Sequence, residues 1–197
     1  MSTHLLSRSR IIGSCAFALT LVAGAMAHGH DRASHDASTT VLAAQNYSMI
    51  AIEIVDQTGK RSSFPMDIGS EGKMFLSLFY GDCKSLCPAS LATMKILDDK
   101  LRVAGRRVPL VSLSIDPEND SADKLSMSAR PFTPPAQWHF ATAGSEHIKE
   151  LTRALGLPAD FASEAHAQAL YVVDARTMVA TPVPLNTSIE GMMALVP

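Results

Sequence analysis

The chain has 197 residues, of which 47% are hydrophobic and 18% charged, with a formal net charge of -2. That length suits one domain plus a leader, and the composition is neither collagenous nor strongly disordered. A chain so close to neutral offers no basic face for neutralising phosphates, which excludes nucleic acid as a partner.

The first 27 residues read as an export signal: Arg8 and Arg10 make a basic start, residues 11–24 an apolar stretch, and Ala25-Met26-Ala27 a small-residue cleavage site. Because the apolar stretch is shorter than the ~20 residues a spanning helix needs, cleavage is expected, giving a periplasmic protein that begins at His28. An uncleaved segment would anchor it to the membrane instead. Ile12-Gly13-Ser14-Cys15 resembles a lipoprotein site only superficially, since the apolar run continues past the cysteine. Loss of the leader removes Cys15 and leaves two of the three cysteines, Cys83 and Cys87. In an exported protein such a pair is a disulfide, a dithiol or a metal site.

Residues 28–46 are polar and His-bearing, with no apolar period, and read as a flexible arm. Cleavage after Ala27 would expose His28-Gly29-His30, whose amine, two backbone amides and third-position histidine suit square-planar Cu(II). A solubilising tail is the simpler reading of the same composition.

The domain is expected over residues 47–197. Residues 48–55 form an apolar strand, Asp56-Gln57-Thr58-Gly59 a turn and residues 60–64 a returning strand, which together make a hairpin. Residues 74–80 are almost continuously apolar, as a central strand covered on both faces should be. Pro88 suits a first helical position, and Leu91, Met94, Leu97 and Leu101 mark one helical face that ends near Gly105. Residues 108–115 are a second buried strand, so strand, helix and strand form a right-handed parallel crossover. A short helix over 121–130 is stopped by Pro131, Pro134 and Pro135, and a strand over 137–141 follows. Ser145 caps a helix with Ile148, Leu151 and Leu155 on one face and Gly156 as its stop. Strands at 169–173 and 178–183 flank Asp174-Ala175-Arg176-Thr177 as a second hairpin, and residues 188–195 form a closing helix. No internal repeat is visible.

Cys83-Lys84-Ser85-Leu86-Cys87-Pro88 lies between a buried strand and a helix start, where backbone N–H groups and the helix dipole favour a thiolate at Cys87. Three intervening residues, rather than the two of dithiol oxidoreductases, let both sulfurs converge on one ion. Two soft thiolates in an exported protein favour Cu(I), whereas zinc asks for a fourth ligand that is not obviously supplied. Of the seven histidines, His4 goes with the leader, His28, His30 and His35 sit on the arm, and His139 and His147 fall in a strand and a helix. His166 remains, just before the strand at 169–173, where in a parallel sheet the loop approaches the end of the first strand. On its own, a lone histidine is more commonly a surface or satisfied core residue.

Two other readings of the cysteines stand beside a metal site. A plain disulfide is common in exported proteins and contributes ~2–4 kcal/mol, although one closing so short a loop restrains little. A thiol-disulfide oxidoreductase acting on exported proteins would need a nucleophilic thiol and an exchange partner. Against it stand the three-residue spacing and the lack of a proline before the strand at 169–173. Asp116 and Asp120 suit a turn and a helix cap. The ten methionines are scattered and read as packing residues.

Taken in order, four features resemble the Sco/SenC family of copper-binding thioredoxin-fold proteins, which help assemble the copper A centre of cytochrome c oxidase. They are the apolar strand leading into Cys83-x-x-x-Cys87-Pro88, the Ser114-Ile115-Asp116-Pro117-Glu118-x-Asp120 segment, the Trp138-x-Phe140 strand, and His166 shortly before Tyr171-Val172-Val173-Asp174. The resemblance covers most of residues 47–193. With the elements above it implies an α/β, thioredoxin-like fold with a central mixed sheet, flanking helices and an added N-terminal hairpin. It also implies Cys83, Cys87 and His166 as ligands of one copper ion per chain, with Asp116 at an acidic position near the metal.

The function so implied is a monomeric metallochaperone rather than an enzyme, with the oxidase copper subunit or another exported copper protein as acceptor and a thiol reductant as a further partner. The reduced dithiol and His166 would capture Cu(I) and pass it on by ligand exchange, and oxidation of the cysteines would eject it. Two departures carry expectations. Lys84 and Ser85 stand where the family often has Pro and Asp, which replaces an acidic group with a positive one and retunes affinity. The chain ends at Pro197 where relatives often continue their last helix, so looser packing is expected there.

Overall fold

A computed structural model of the chain describes residues 45–197 apart from 70–71, 82–86, 158–169 and 185. The elements in chain order are strands β1 (Tyr47–Ser48), β2 (Ile52–Asp56), β3 (Arg61–Phe64) and β4 (Lys73–Phe79), helix α1 (Cys87–Val103), strand β5 (Leu110–Ser114) and helix α2 (Ala122–Ala129). A single 3-10 turn, Arg130–Phe132, precedes β6 (Trp138–Ala143), α3 (Ser145–Ala154), β7 (Leu170–Asp174), β8 (Val179–Val183) and α4 (Ile189–Met193). The strands form one mixed sheet in the order β1-β8-β7-β4-β5-β6-β2-β3. β4, β5 and β6 are mutually parallel, and every other pairing is antiparallel.

β4 explains why the sheet is covered on both sides. Met74, Leu76 and Leu78 point into a core shared with Ile148, Leu151 and Leu155 of α3. Phe75 and Phe79 point the other way, against Leu91, Met94, Leu97 and Leu101 of α1, Leu125 of α2 and Met192 of α4. A strand with both faces buried has to be apolar at successive positions, and this one is. The α1–α2 face holds an aromatic column in which Trp138 lies 5.1 Å from Phe140 and 5.8 Å from Phe132, and Phe140 meets Phe79 edge-on at 5.8 Å. Three polar groups are sealed beside it: the Trp138 indole N–H donates to Ser112 Oγ at 3.0 Å, and Ser112 and Ser77 hydroxyls lie 3.1 Å apart.

The N-terminal hairpin forms around the expected turn, with Gly59 at φ +81°. Its first strand, read as one piece over 48–55, is two. β1 pairs β8 near one edge of the sheet, whereas β2 pairs β3 and β6 near the other. The three residues between them reach roughly 14 Å, against about 29 Å for six flat strand spacings, so the sheet curls. Met49 is buried at this crossing. Alternation of apolar side chains cannot report such a change of partner, because it records only which face each residue points to.

Helix boundaries differ in two places. Gly144, not Ser145, is the N-cap of α3, and it makes no side-chain capping bond. Ser121, not Asp120, caps α2, its hydroxyl accepting the Lys124 amide. The predicted stop at Gly156 is observed at φ +70°, with a Cβ there lying 2.4 Å from Cε1 of Tyr47. Tyr47 in turn packs edge-on to buried Tyr171 at 6.5 Å, and burial pushes the Tyr171 phenol well above its ordinary pKa. Gly156→Ala therefore meets both a left-handed backbone and a collision, and is expected to cost about 2 kcal/mol in urea unfolding.

The expectation of loose packing at the chain end is not met. The Arg106 guanidinium donates to the carbonyls of Met193 (2.9 Å), Val196 (2.6 Å) and Pro197, and Val196 is buried. A charged fork on several carbonyls holds this segment without a longer helix. No helix among the described residues is long and apolar enough to cross a membrane.

Candidate metal centre

Three chain segments converge at one edge of the sheet. β4 and β5 run parallel with Phe79 opposite Ser114, so both strands leave the sheet side by side, and the Ile115 amide donates to the Phe79 carbonyl at 2.8 Å. β7 lies on the other flank of β4 with Leu170 opposite Ser77. That pairing is antiparallel, not parallel as expected for the strand that follows His166. A parallel β7 would begin at the edge where β4 begins. An antiparallel β7 begins where β4 ends, so Leu170 starts its strand at the end of the sheet where Phe79 finishes β4.

Cys83 and His166 both lie outside the described residues. Cys87 is the first residue of α1, a helix of 17 residues with no acidic side chain in its first turn. The positive end of the dipole is thus unopposed by any carboxylate in the helix's own first turn. Among the described residues, no three His, Cys, Asp or Glu side chains are grouped to hold a metal ion. His139 lies in β6 with its Nδ1 3.4 Å from Asp56 Oδ2, next to the hairpin turn, and His147 is exposed on α3.

The acidic segment after β5 behaves differently from its reading as a turn and a cap. Asp116 does organise the turn: its carbonyl accepts the Asn119 and Asp120 amides at 3.1 and 2.9 Å, and its carboxyl accepts the Asn119 side-chain amide at 3.0 Å. Asp120 instead points inward and is only 3% exposed. Its Oδ2 accepts the Gly81 amide at 2.9 Å and the Ser114 hydroxyl, while Ser114 Oγ accepts the Asp116 amide at 3.1 Å. A Cβ on Gly81 would lie 2.4 Å from Asp120 Oδ1. One carboxyl thereby ties the exit of β4 to the exit of β5, two residues before Cys83. Sequence reasoning missed this tie, although a serine, an aspartate and a proline-containing turn directly after a buried strand were its visible signal.

As a donor set, two thiolates and one imidazole are soft and suit Cu(I) over harder cations. A family model described as SCO1/SenC matches residues 44–196. The SCO1 protein homolog of Bacillus subtilis (strain 168) is 30% identical over 103 residues, which are 51% of this chain and 52% of that protein. The chain thus spans about half the length of the curated relative it matches. BsSco, a member of the Sco family of cytochrome c oxidase assembly proteins solved in the identification of a disulfide switch, superposes with a TM-score of 0.64 at 21% identity, covering 77% of this chain and 92% of that one. Yeast Sco1 with copper bound superposes with a TM-score of 0.63 at 14% identity, covering 76% and 89%. The two structural likenesses establish a shared thioredoxin-like fold.

Proposed function

The chain belongs to the SCO1/SenC family, and on that premise we propose that it is an exported copper chaperone which binds one copper ion through Cys83, Cys87 and His166. It delivers the ion to the copper subunit of cytochrome c oxidase or to another exported copper protein. The observation that supports the reading is the strand topology: β4 ends at Phe79 and antiparallel β7 begins at Leu170 at the same end of the sheet, Leu170 pairing with Ser77. The copper bound to yeast Sco1 and the assembly role of BsSco's family support copper as the cargo and the oxidase as the destination. Residues 1–27 act as a cleaved signal, which puts the domain in the periplasm as a monomer.

Capture requires both cysteines reduced, because a disulfide removes both thiolates at once. Cys87 is the first residue of α1, and a helix start is a position that favours negative charge. The same feature serves a second reading, thiol-disulfide exchange on exported proteins, to which the disulfide switch of BsSco lends weight.

The two readings separate in an anaerobic Cu(I) competition titration of the fully reduced protein. One tight copper per chain is expected. His166→Ala should weaken binding by about a hundredfold, at the upper end of what losing even a ligand's supporting partner costs, and Cys83→Ser with Cys87→Ser should abolish it. Weak binding indifferent to all three residues would shift the function to thiol chemistry alone.

A further inference from the structure

We infer that Asp120 is a positioning residue for the Cys83–Cys87 pair: it clamps Gly81 at the exit of β4, holding one end of the cysteine segment while α1 holds the other. Asp120 is nearly fully buried, and a buried carboxyl is costly unless donors surround it. Its donors come from the two strand exits, Gly81 N–H and the Ser114 hydroxyl. Its own place is secured from both sides, by the Asp116–Asp120 turn behind it and by the Ser121 cap of α2 ahead, with Leu125 buried in the core. Gly81 is the residue type that permits the contact, since any Cβ would collide with the carboxyl.

Two residues of chain span at most about 7 Å, so a fixed Gly81 bounds where Cys83 can be. Cys87 belongs to a helix seated by Leu91, Met94, Leu97 and Leu101. With both ends of the segment held, the sulfurs meet at a raised effective concentration. Anything that needs them together gains from the clamp, whether an intramolecular disulfide or a shared ion, and releasing it weakens both. The inference deepens the copper reading through the second of these and stands apart from it through the first.

The test uses the metal-free protein, equilibrated with glutathione buffers and scored on the peptides bearing Cys83 and Cys87 by mass spectrometry. In the reaction, glutathione disulfide takes two electrons and two protons from the thiols, forming the Cys83–Cys87 bond and releasing two glutathione thiols. Asp120→Ala cuts the clamp from one side and Gly81→Ala from the other. Each is expected to shift the equilibrium about tenfold toward the dithiol, as loss of an ordering contact lowers effective concentration. Asp120→Asn retains an acceptor for the Gly81 amide and should restore most of the shift. Ile148→Val, in the core on the opposite face of the sheet, should leave the equilibrium unmoved although it lowers stability.

Cu(I) affinity, titrated in parallel, should fall by the same factor in the two clamp variants. A shifted thiol equilibrium in a protein whose wild type binds no Cu(I) tightly would retain the clamp and sink the copper reading. Tight Cu(I) binding unchanged in both clamp variants would overturn the clamp's extension to the metal. A thiol equilibrium within twofold of wild type in whichever clamp variants fold would overturn the inference, as would an equal shift in Ile148→Val.

Discussion

Trp138→Ala is expected to lower the unfolding free energy by about 3–5 kcal/mol, the range for removing a large aromatic from a core that cannot collapse onto the space. Trp138 is fully buried at the start of β6, opposite Leu110, between Phe132 and Phe140. Beyond the cavity, the substitution strips Ser112 of the indole N–H that meets its hydroxyl, inside a face otherwise lined by Phe75, Leu97 and Leu101. Domains commonly hold only ~5–15 kcal/mol in total, so a large fraction of the stability is at stake. Urea unfolding measures it. Trp138→Phe preserves much of the packing and should cost about half as much, the remainder including the lost hydrogen bond to Ser112, which keeps its Ser77 partner. Because Phe140 carries the aromatic contact on to Phe79, the last residue of β4, the alanine variant should also loosen the strand exit that leads to Cys83.

Asp56→Ala is expected to cost about 2 kcal/mol at neutral pH, the typical price of stripping a charged acceptor from several donors. Oδ1 of Asp56 accepts the Thr58 hydroxyl at 2.6 Å, the Thr58 amide at 2.8 Å and the Lys60 amide at 3.1 Å, while Oδ2 faces His139. Burial by itself would raise the pKa of this carboxyl. The hydrogen bonds from Thr58 and Lys60, with His139, outweigh it and hold the group below its ordinary value of 3.8. A carboxyl depressed in the folded state contributes fully above the unfolded pKa, and loses that contribution as pH falls through the folded one. The stability gap between wild type and Asp56→Asn should therefore be constant from neutral pH to about pH 5 and shrink below about pH 3.8. Urea unfolding across that range checks the sign; a gap that widens on acidification would refute the assigned role.

The position of Asp56 explains why a turn residue matters so much. It closes the hairpin, and the next residue, Gln57, continues the sheet with its side chain, its amide donating to the Trp138 carbonyl at 3.3 Å and its oxygen accepting the Phe140 amide at 2.8 Å. The hairpin is thus pinned to β6 where backbone pairing ends at Asp56 and Ala141. The sequence shows an Asp-x-Thr-Gly turn; that the following glutamine completes another strand's ladder depends on β6 lying there.

Much of this protein was legible in one dimension because local periodicity and chain stereochemistry are local properties. Uninterrupted apolar character marked β4 as a central strand, the stripe from Leu91 to Leu101 marked the buried face of α1, and Gly156 marked the end of α3, each from constraints acting within a few residues. Cys83, Cys87 and His166 were likewise selected by residue chemistry and by resemblance, and they remain the ligands proposed here. What tertiary structure alone decided is which elements become neighbours. Periodicity assigns a residue to a face and says nothing about the strand beside it, so neither the antiparallel entry of β7 next to β4 nor the separation of β1 from β2 could be read from the pattern. For the same reason Asp120 looked like a helix cap: its neighbours in sequence allow that role, while its actual partner, Gly81, lies 39 residues away and reaches it only because β4 and β5 leave the sheet together.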